Sequence, residues 1–132
     1  MEVLIVIAIV LILTSAVGFM AFRYIDKARQ VTAKSQIETF SLALQSYALD
    51  CRVYPTRDQG LDALWSRPIL DPVPSGWNGP YVNRKTGPDP WGHPYEYSLP
   101  GPNGLPFALR SLGADGREGG EGNDRDLSSW ED

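Results

Sequence analysis

The residues with most capacity for chemistry are crowded near the end of the chain. Asp115, Glu118, Glu121, Asp124 and Asp126 are interspersed with five glycines between positions 113 and 122. Carboxylates packed into a tight Gly-rich loop repel one another unless a cation joins them. An all-oxygen donor set suits Ca²⁺, which takes ~6–8 oxygens at ~2.3–2.6 Å, whereas Mg²⁺ demands a stricter octahedron and usually keeps several waters. The spacing is not that of an EF-hand. Carboxylates from Asp115, Asp124 and Asp126, completed by backbone carbonyls such as that of Leu112 and by the Ser128 hydroxyl, make a candidate calcium site. By composition alone the same segment reads as an acidic, disordered tail. Two features oppose that reading: the segment directly follows a predicted strand, and Trp130 near its end is an apolar anchor of a kind disordered tails usually lack.

Little else in the chain suggests reactive chemistry. The single cysteine, Cys51, excludes an internal disulfide and reads as a small, partly buried residue at a helix end. The single histidine, His93, lies far away in a Pro-flanked loop, so no Cys–His pair is expected. No phosphate-cradling glycine motif, CxxC pair, HExxH or nucleophile elbow occurs, and enzyme chemistry has no visible foothold. A formal net charge of −4 gives no reason to expect nucleic-acid binding.

The elements that must position these residues begin with an apolar run. From Val3 to Phe22 no side chain is charged, and a helix of about 20 apolar residues at ~1.5 Å each spans a ~30 Å hydrocarbon core. This stretch is expected to be a membrane anchor. A signal peptide fits less well, because the run exceeds the usual ~7–15 apolar residues, has no basic residue ahead of it and lacks a convincing cleavage site. Thr14, Ser15 and Gly18 are small residues that permit close helix approach in lipid. Glu2 has two readings. It is an acidic residue favoured at a helix start by the macrodipole, or a carboxylate just inside the apolar zone that seeks a cation on a neighbouring chain.

No Pro or Gly interrupts the passage from Phe22 into the polar sequence, so one helix is expected from residue 3 to near Asp50, where Tyr54-Pro55 enforces extended backbone. Arg23, Lys27, Arg29 and Lys34 outnumber Asp26 and Glu38 just past the anchor, a basic collar that by the positive-inside rule marks a cytoplasmic flank. Ile37, Phe40, Leu44 and Tyr47 then form one apolar stripe. The chain thus divides into residues 1–22, the anchoring half of the helix, and residues 23–132, a small head that includes its amphipathic half.

Thr56 and Gln59 form a capping-box pattern before Leu61-Asp62-Ala63-Leu64-Trp65, which predicts a short helix. Residues 68–90 are rich in Pro and Gly with Trp77, Tyr81 and, just beyond, Trp91. They predict an ordered loop pinned by aromatics, with a glycan-binding platform as the alternative use. Residues 93–98 and 107–112 alternate, and the Pro- and Gly-rich turn between them predicts an antiparallel hairpin packed on the helix stripe.

Several stretches together resemble a known family. The apolar start with Glu2, TyrProThrArgAspGlnGlyLeuAspAlaLeu at 54–64, GlyTrpAsnGlyProTyrVal at 76–82, AspProTrpGlyHisProTyrGluTyr at 89–97 and the Gly-rich acidic stretch at 111–122 resemble the major pseudopilins of the type II secretion system, within the type IV pilin-like class. The resemblance implies an α+β, pilin-like fold: a long N-terminal helix on a small antiparallel sheet, with a C-terminal calcium-binding loop. It implies a structural subunit that polymerises with itself into a periplasmic pseudopilus and drives folded proteins across the outer membrane. Implied partners are other pseudopilins, an inner-membrane assembly platform, the outer-membrane secretin and a prepilin peptidase. The implied place is the bacterial inner membrane, single-pass, with a periplasmic head.

By the family pattern Glu2 matches the glutamate that pairs with a neighbour's amine in assembly, and Leu112, Asp115, Asp124 and Asp126 match the calcium loop. Family precursors carry a basic leader and an N-methylated Phe before that glutamate, whereas this chain opens Met1-Glu2, so cleavage and methylation are not transferred to Met1. A leader upstream would also supply the cytoplasmic charge that the collar, periplasmic by the resemblance, does not. The alternatives are a type IV pilus subunit, disfavoured by the lack of a cysteine pair, a minor pseudopilin, and a membrane-anchored binding module using Trp77, Tyr81 and Trp91. An anchored hydrolase is the weakest.

Overall fold

The structure, a computed structural model, describes residues 1–130; the last two residues of the 23–132 head lie outside the described residues. Its dominant element is α1, Glu2–Cys51, 50 residues in one helix and ~75 Å long at ~1.5 Å per residue. Nothing in that span removes an amide donor, and Thr14 and Ser15 turn their hydroxyls back onto the carbonyls of Val10 (2.7 Å) and Leu11 (2.9 Å). Those polar groups are therefore satisfied within the helix, as a lipid environment requires. The helix ends one residue beyond the expected place. Arg52 adopts a left-handed conformation (φ 66°) and donates its N–H to the Ala48 carbonyl at 2.8 Å, closing the last turn.

The two halves of α1 meet different surroundings. None of the most apolar window is buried within the chain, whereas Ile37, Ala43, Leu44 and Tyr47 are buried in one cluster with Leu61, Leu64, Val82, Phe107 and Leu109. The expected stripe is the core face, with Phe40 at its margin meeting Tyr95 edge-on at 5.4 Å.

The head carries a three-stranded antiparallel sheet of β1 (Glu96–Ser98), β2 (Ala108–Ser111) and β3 (Leu127–Ser128), in the order β1-β2-β3. Tyr97 pairs with Leu109, and Ser111 with Leu127. The hairpin is as expected but its strands are shorter, because Pro94 has no N–H to give and Gly113 (φ 79°) turns the chain out of β2. The third strand was not expected. It recruits the tail, and Ser129 closes the pairing by donating its N–H to the Leu109 carbonyl (2.8 Å) and accepting the Leu109 N–H on its hydroxyl (3.0 Å). Through Trp130 the tail is ordered, contrary to the disordered reading of its composition.

The capping box forms, but it does not start an α-helix. Gln59 donates its N–H to Thr56 Oγ1 (3.2 Å) and Thr56 donates its own to Gln59 Oε1 (2.9 Å). Gly60 (φ 59°, ψ −160°) then breaks the turn, leaving a 3-10 helix over Leu61–Leu64. The Pro-rich loop is pinned by aromatics as expected. Trp77 donates its indole N–H to the Ala63 carbonyl (2.8 Å), and Tyr81 donates its hydroxyl to Asp50 Oδ2 (2.6 Å) while packing edge-on against Trp77 and Tyr47.

Candidate functional site

The tail loop has two limbs that touch. The outgoing limb leaves β2 through Leu112 and Gly113, and the returning limb comes back through a 3-10 turn (Gly122–Asp124) into β3. They meet where Ala114 donates its N–H to the Asn123 carbonyl at 2.8 Å. A Cβ at Gly113 would lie 2.8 Å from the Arg125 carbonyl oxygen and 2.9 Å from that of Asn123, so only glycine lets the limbs come together. α1 holds the junction: Gln30 donates to Asn123 Oδ1 (2.8 Å) and to the Gly122 carbonyl (3.2 Å). From the sheet, Arg110 reaches Glu96 (2.6 Å), Glu118 (3.3 Å) and Asp126 (3.7 Å). Glu96 is the main reason its guanidinium holds its proton more firmly than usual.

Within this frame the candidate ligands are distributed over both limbs. Asp126 accepts the Gly119 N–H on Oδ2 (3.0 Å), while its Oδ1 is buried and has no hydrogen-bond partner. Ser128 Oγ is in the same condition. Leu112 is half-buried beside the junction, and Asp115 is exposed, accepting the Arg117 N–H (3.1 Å) in its own turn. Asp124 is exposed on the 3-10 turn. Among the described residues, the chain does not gather three or more carboxylate, His or Cys groups into one metal-holding cluster.

The orphan oxygens are the features that fit a cation. A buried oxygen without a partner is costly, and carboxylate, hydroxyl and carbonyl oxygens are the donors a hard cation prefers. Thr86 Oγ1 and Trp91 Nε1 are also buried without partners elsewhere in the head, but the indole N–H is a donor and cannot ligate a metal.

Beneath the loop lies a residue that sequence reasoning missed. Asp89 is 3 % exposed. Its Oδ1 accepts the N–H groups of Trp91 (3.1 Å) and His93 (2.8 Å), and its Oδ2 accepts the Ser111 hydroxyl (2.7 Å), which in turn accepts the Gly113 N–H (3.3 Å). Asp89 thereby ties the aromatic loop to the root of the tail. The available signal was Asp followed by Pro, Trp and Gly, a turn composition.

At the opposite end of the molecule, Glu2 is exposed in the first turn of α1. Val3, Leu4, Ile5, Ile12 and Val17 around and beyond it expose more than half of their surface. An apolar face of this extent in a single chain implies lipid or other copies of α1 around it.

Comparison with known proteins places this architecture. The family model described as type II secretion system, protein G, matches residues 20–130. The type II secretion system core protein G of Pseudomonas aeruginosa is 42% identical over 130 residues, covering 98% of this chain and 91% of the relative. That of Vibrio cholerae is 42% identical over 131 residues, covering 98% and 88%. Among solved structures, the crystal structure of the major pseudopilin from the type 2 secretion system of enterohaemorrhagic Escherichia coli superposes with a TM-score of 0.66 at 34% identity, covering 80% of this chain and 89% of that one. These matches favour the major-pseudopilin resemblance over the pilus-subunit, minor-pseudopilin and binding-module alternatives.

Proposed function

This chain belongs to the type II secretion system protein G family, and from that premise we propose how its parts serve a pseudopilus. It is a structural subunit that polymerises into the pseudopilus of the type II secretion system and so drives protein export. The observation that carries the assembly role is α1 itself: an unbroken helix whose apolar half is left uncovered while its other half is built into the head. Burial of that half against neighbouring copies or lipid removes an extensive apolar surface from water. Other pseudopilins are its partners. An inner-membrane assembly platform, the outer-membrane secretin and a prepilin peptidase acting on a leader are the further partners we assign. We place the chain as a single-pass protein of the inner membrane with a periplasmic head, and its role as mechanical rather than catalytic. Paired cysteines introduced along the apolar half of α1 should crosslink into ladders in membranes. A chain that stays monomeric there would refute the assignment.

The tail loop is assigned to Ca²⁺, held by the carboxylates of Asp115, Asp124 and Asp126, the Leu112 carbonyl and the Ser128 hydroxyl. Asp126 Oδ1 and Ser128 Oγ, buried without partners, support the assignment most directly. When bound, the cation supplies positive charge that joins carboxylates which otherwise repel, fastening the two limbs. At calcium about a hundredfold above its Kd the head gains about 2.7 kcal/mol, a rise in Tm of roughly 10 °C or more for a head of this size. Thermal unfolding of the full chain in detergent, with Ca²⁺, Mg²⁺ or chelator, should show a calcium-selective rise that Asp115→Ala and Asp126→Ala abolish. An unfolding midpoint indifferent to calcium would remove the site.

A further inference from the structure

The charges of this chain are segregated along its length in a way that assembly through α1 does not use. Residues 23–38 carry four basic side chains against two acidic ones, whereas residues 39–132 carry eight against thirteen. The basic segment follows the apolar run immediately. Arg23, Lys27, Arg29 and Lys34 are all exposed on α1. Among the described residues, none of Lys27, Arg29 and Lys34 takes part in an ion pair; the ion pairs of the head converge on Arg110 instead.

Distance along the helix decides what these cations meet. If Phe22 marks the edge of the hydrocarbon core, Lys27 lies ~8 Å and Arg29 ~10 Å beyond it, and Lys34 ~18 Å, at ~1.5 Å per residue. The headgroup layer is ~5–8 Å thick on each side, and a further ~8 Å is the screening length at physiological salt. Helical side chains also lean toward the N-terminus, which on α1 is toward the bilayer. Lys27 and Arg29 therefore reach the headgroups, and Lys34, with its long flexible stem, reaches their outer edge. Lys27 and Lys34 fall within about 20° of one another around the helix and Arg29 lies on roughly the opposite side, so the collar surrounds α1 at headgroup depth. Beyond the collar the acidic excess would be repelled by the same anionic surface, which favours an upright head.

We propose that this collar, centred on Lys27, Arg29 and Lys34, docks anionic phospholipid headgroups and sets the depth and tilt of α1 before the subunit enters a filament. The proposal rests on the membrane-anchored reading. Each basic side chain near an anionic surface strengthens attraction roughly fivefold, and salt weakens it.

The test uses the full chain reconstituted in vesicles of phosphatidylcholine with phosphatidylglycerol. Electron spin resonance measures the association of spin-labelled phosphatidylglycerol relative to spin-labelled phosphatidylcholine. The expected selectivity is at least about threefold at low salt and falls at high salt. It should vanish in the triple variant Lys27→Gln/Arg29→Gln/Lys34→Gln and persist in the head control Arg84→Gln/Lys85→Gln. Both sets lie at exposed positions, and circular dichroism confirms that the variants are folded. A ratio near one, or one that the triple variant leaves unchanged, overturns the proposal. Loss of subunit crosslinking by the triple variant in pure phosphatidylcholine, with no lipid selectivity in the mixture, overturns it in favour of acidic side chains on a second copy. Release of the chain from vesicles by alkaline extraction would instead sink the anchored reading, and the proposal with it.

Discussion

Asp89 shows how much of the head depends on one side chain. Asp89→Ala strands three donors, the buried Ser111 hydroxyl and the part-buried amides of Trp91 and His93. A buried donor left unpaired costs about 1–3 kcal/mol, so the loss should be at least about 2 kcal/mol, read from chemical unfolding. Ser111→Ala removes both the donor to Asp89 and the acceptor of the Gly113 N–H and should cost about 1–3 kcal/mol. Tyrosines give the head its pH limit. Burial pushes the Tyr47 and Tyr81 hydroxyls up to about 12, with Cys51 adding to the effect on Tyr47 and the carboxylate of Asp50 to that on Tyr81. A phenol whose pKa is raised by folding contributes stability that is complete below its unfolded value near 10 and is lost as pH rises through the folded value. Unfolding midpoints should therefore be flat with respect to these groups up to about pH 10 and fall between pH 10 and 12; Tyr81→Phe should flatten part of that fall. The tyrosines were legible in the sequence as core residues, because Tyr47 continues a helical stripe. Asp89 was not, because a carboxylate in a Pro- and Gly-rich stretch looks the same whether it faces water or three donors.

Elements were legible where a period ran long enough to repeat. α1 combines an apolar run with a stripe, and its boundaries follow. The short elements are set by single contacts that no period reveals. β3 is two residues long and exists because the tail is drawn back to Leu109 and Gln30, and the helix expected after the capping box is cut short by one glycine conformation. The junction between α1 and the Pro-rich loop is of the same kind. A Cβ at Gly76 would sit 2.2 Å from the Asp50 carbonyl oxygen, so the loop crosses the end of α1 with no room for a side chain. Gly76→Ala should push the loop off the helix end and cost about 1–3 kcal/mol. In that variant, amide exchange should quicken around Tyr81 and the Asp50 end of α1 while the β1–β2 hairpin stays protected. Uniform loss of protection would mean the junction is not a separate unit. The tail loop was half legible: its acidic and glycine residues stand out in composition, but Arg110, Gln30 and Asn123, which hold the limbs, are ordinary polar residues until the fold brings them together.

At the scale of the whole molecule the chain is a small, marginal head on a long rod. A head of this size buries a limited core, and its tail adds a third strand and a set of carboxylates more than it adds apolar packing. Subunits prepared without calcium should therefore lose the tail before the hairpin. Proteolysis cutting first between Gly116 and Gly122 under chelation, and not in calcium, is the expected pattern. The unbroken course of α1 has a consequence for motion. With no proline between its two ends, the helix joins them as one rod: a push applied to the head is carried along a continuous backbone hydrogen-bond ladder toward Glu2. Raising the helix by one turn's length would lift the head by ~5.4 Å and draw about three to four residues of the apolar half out of the hydrocarbon core, so the height of the head above the bilayer reads directly how much of α1 is still held in lipid.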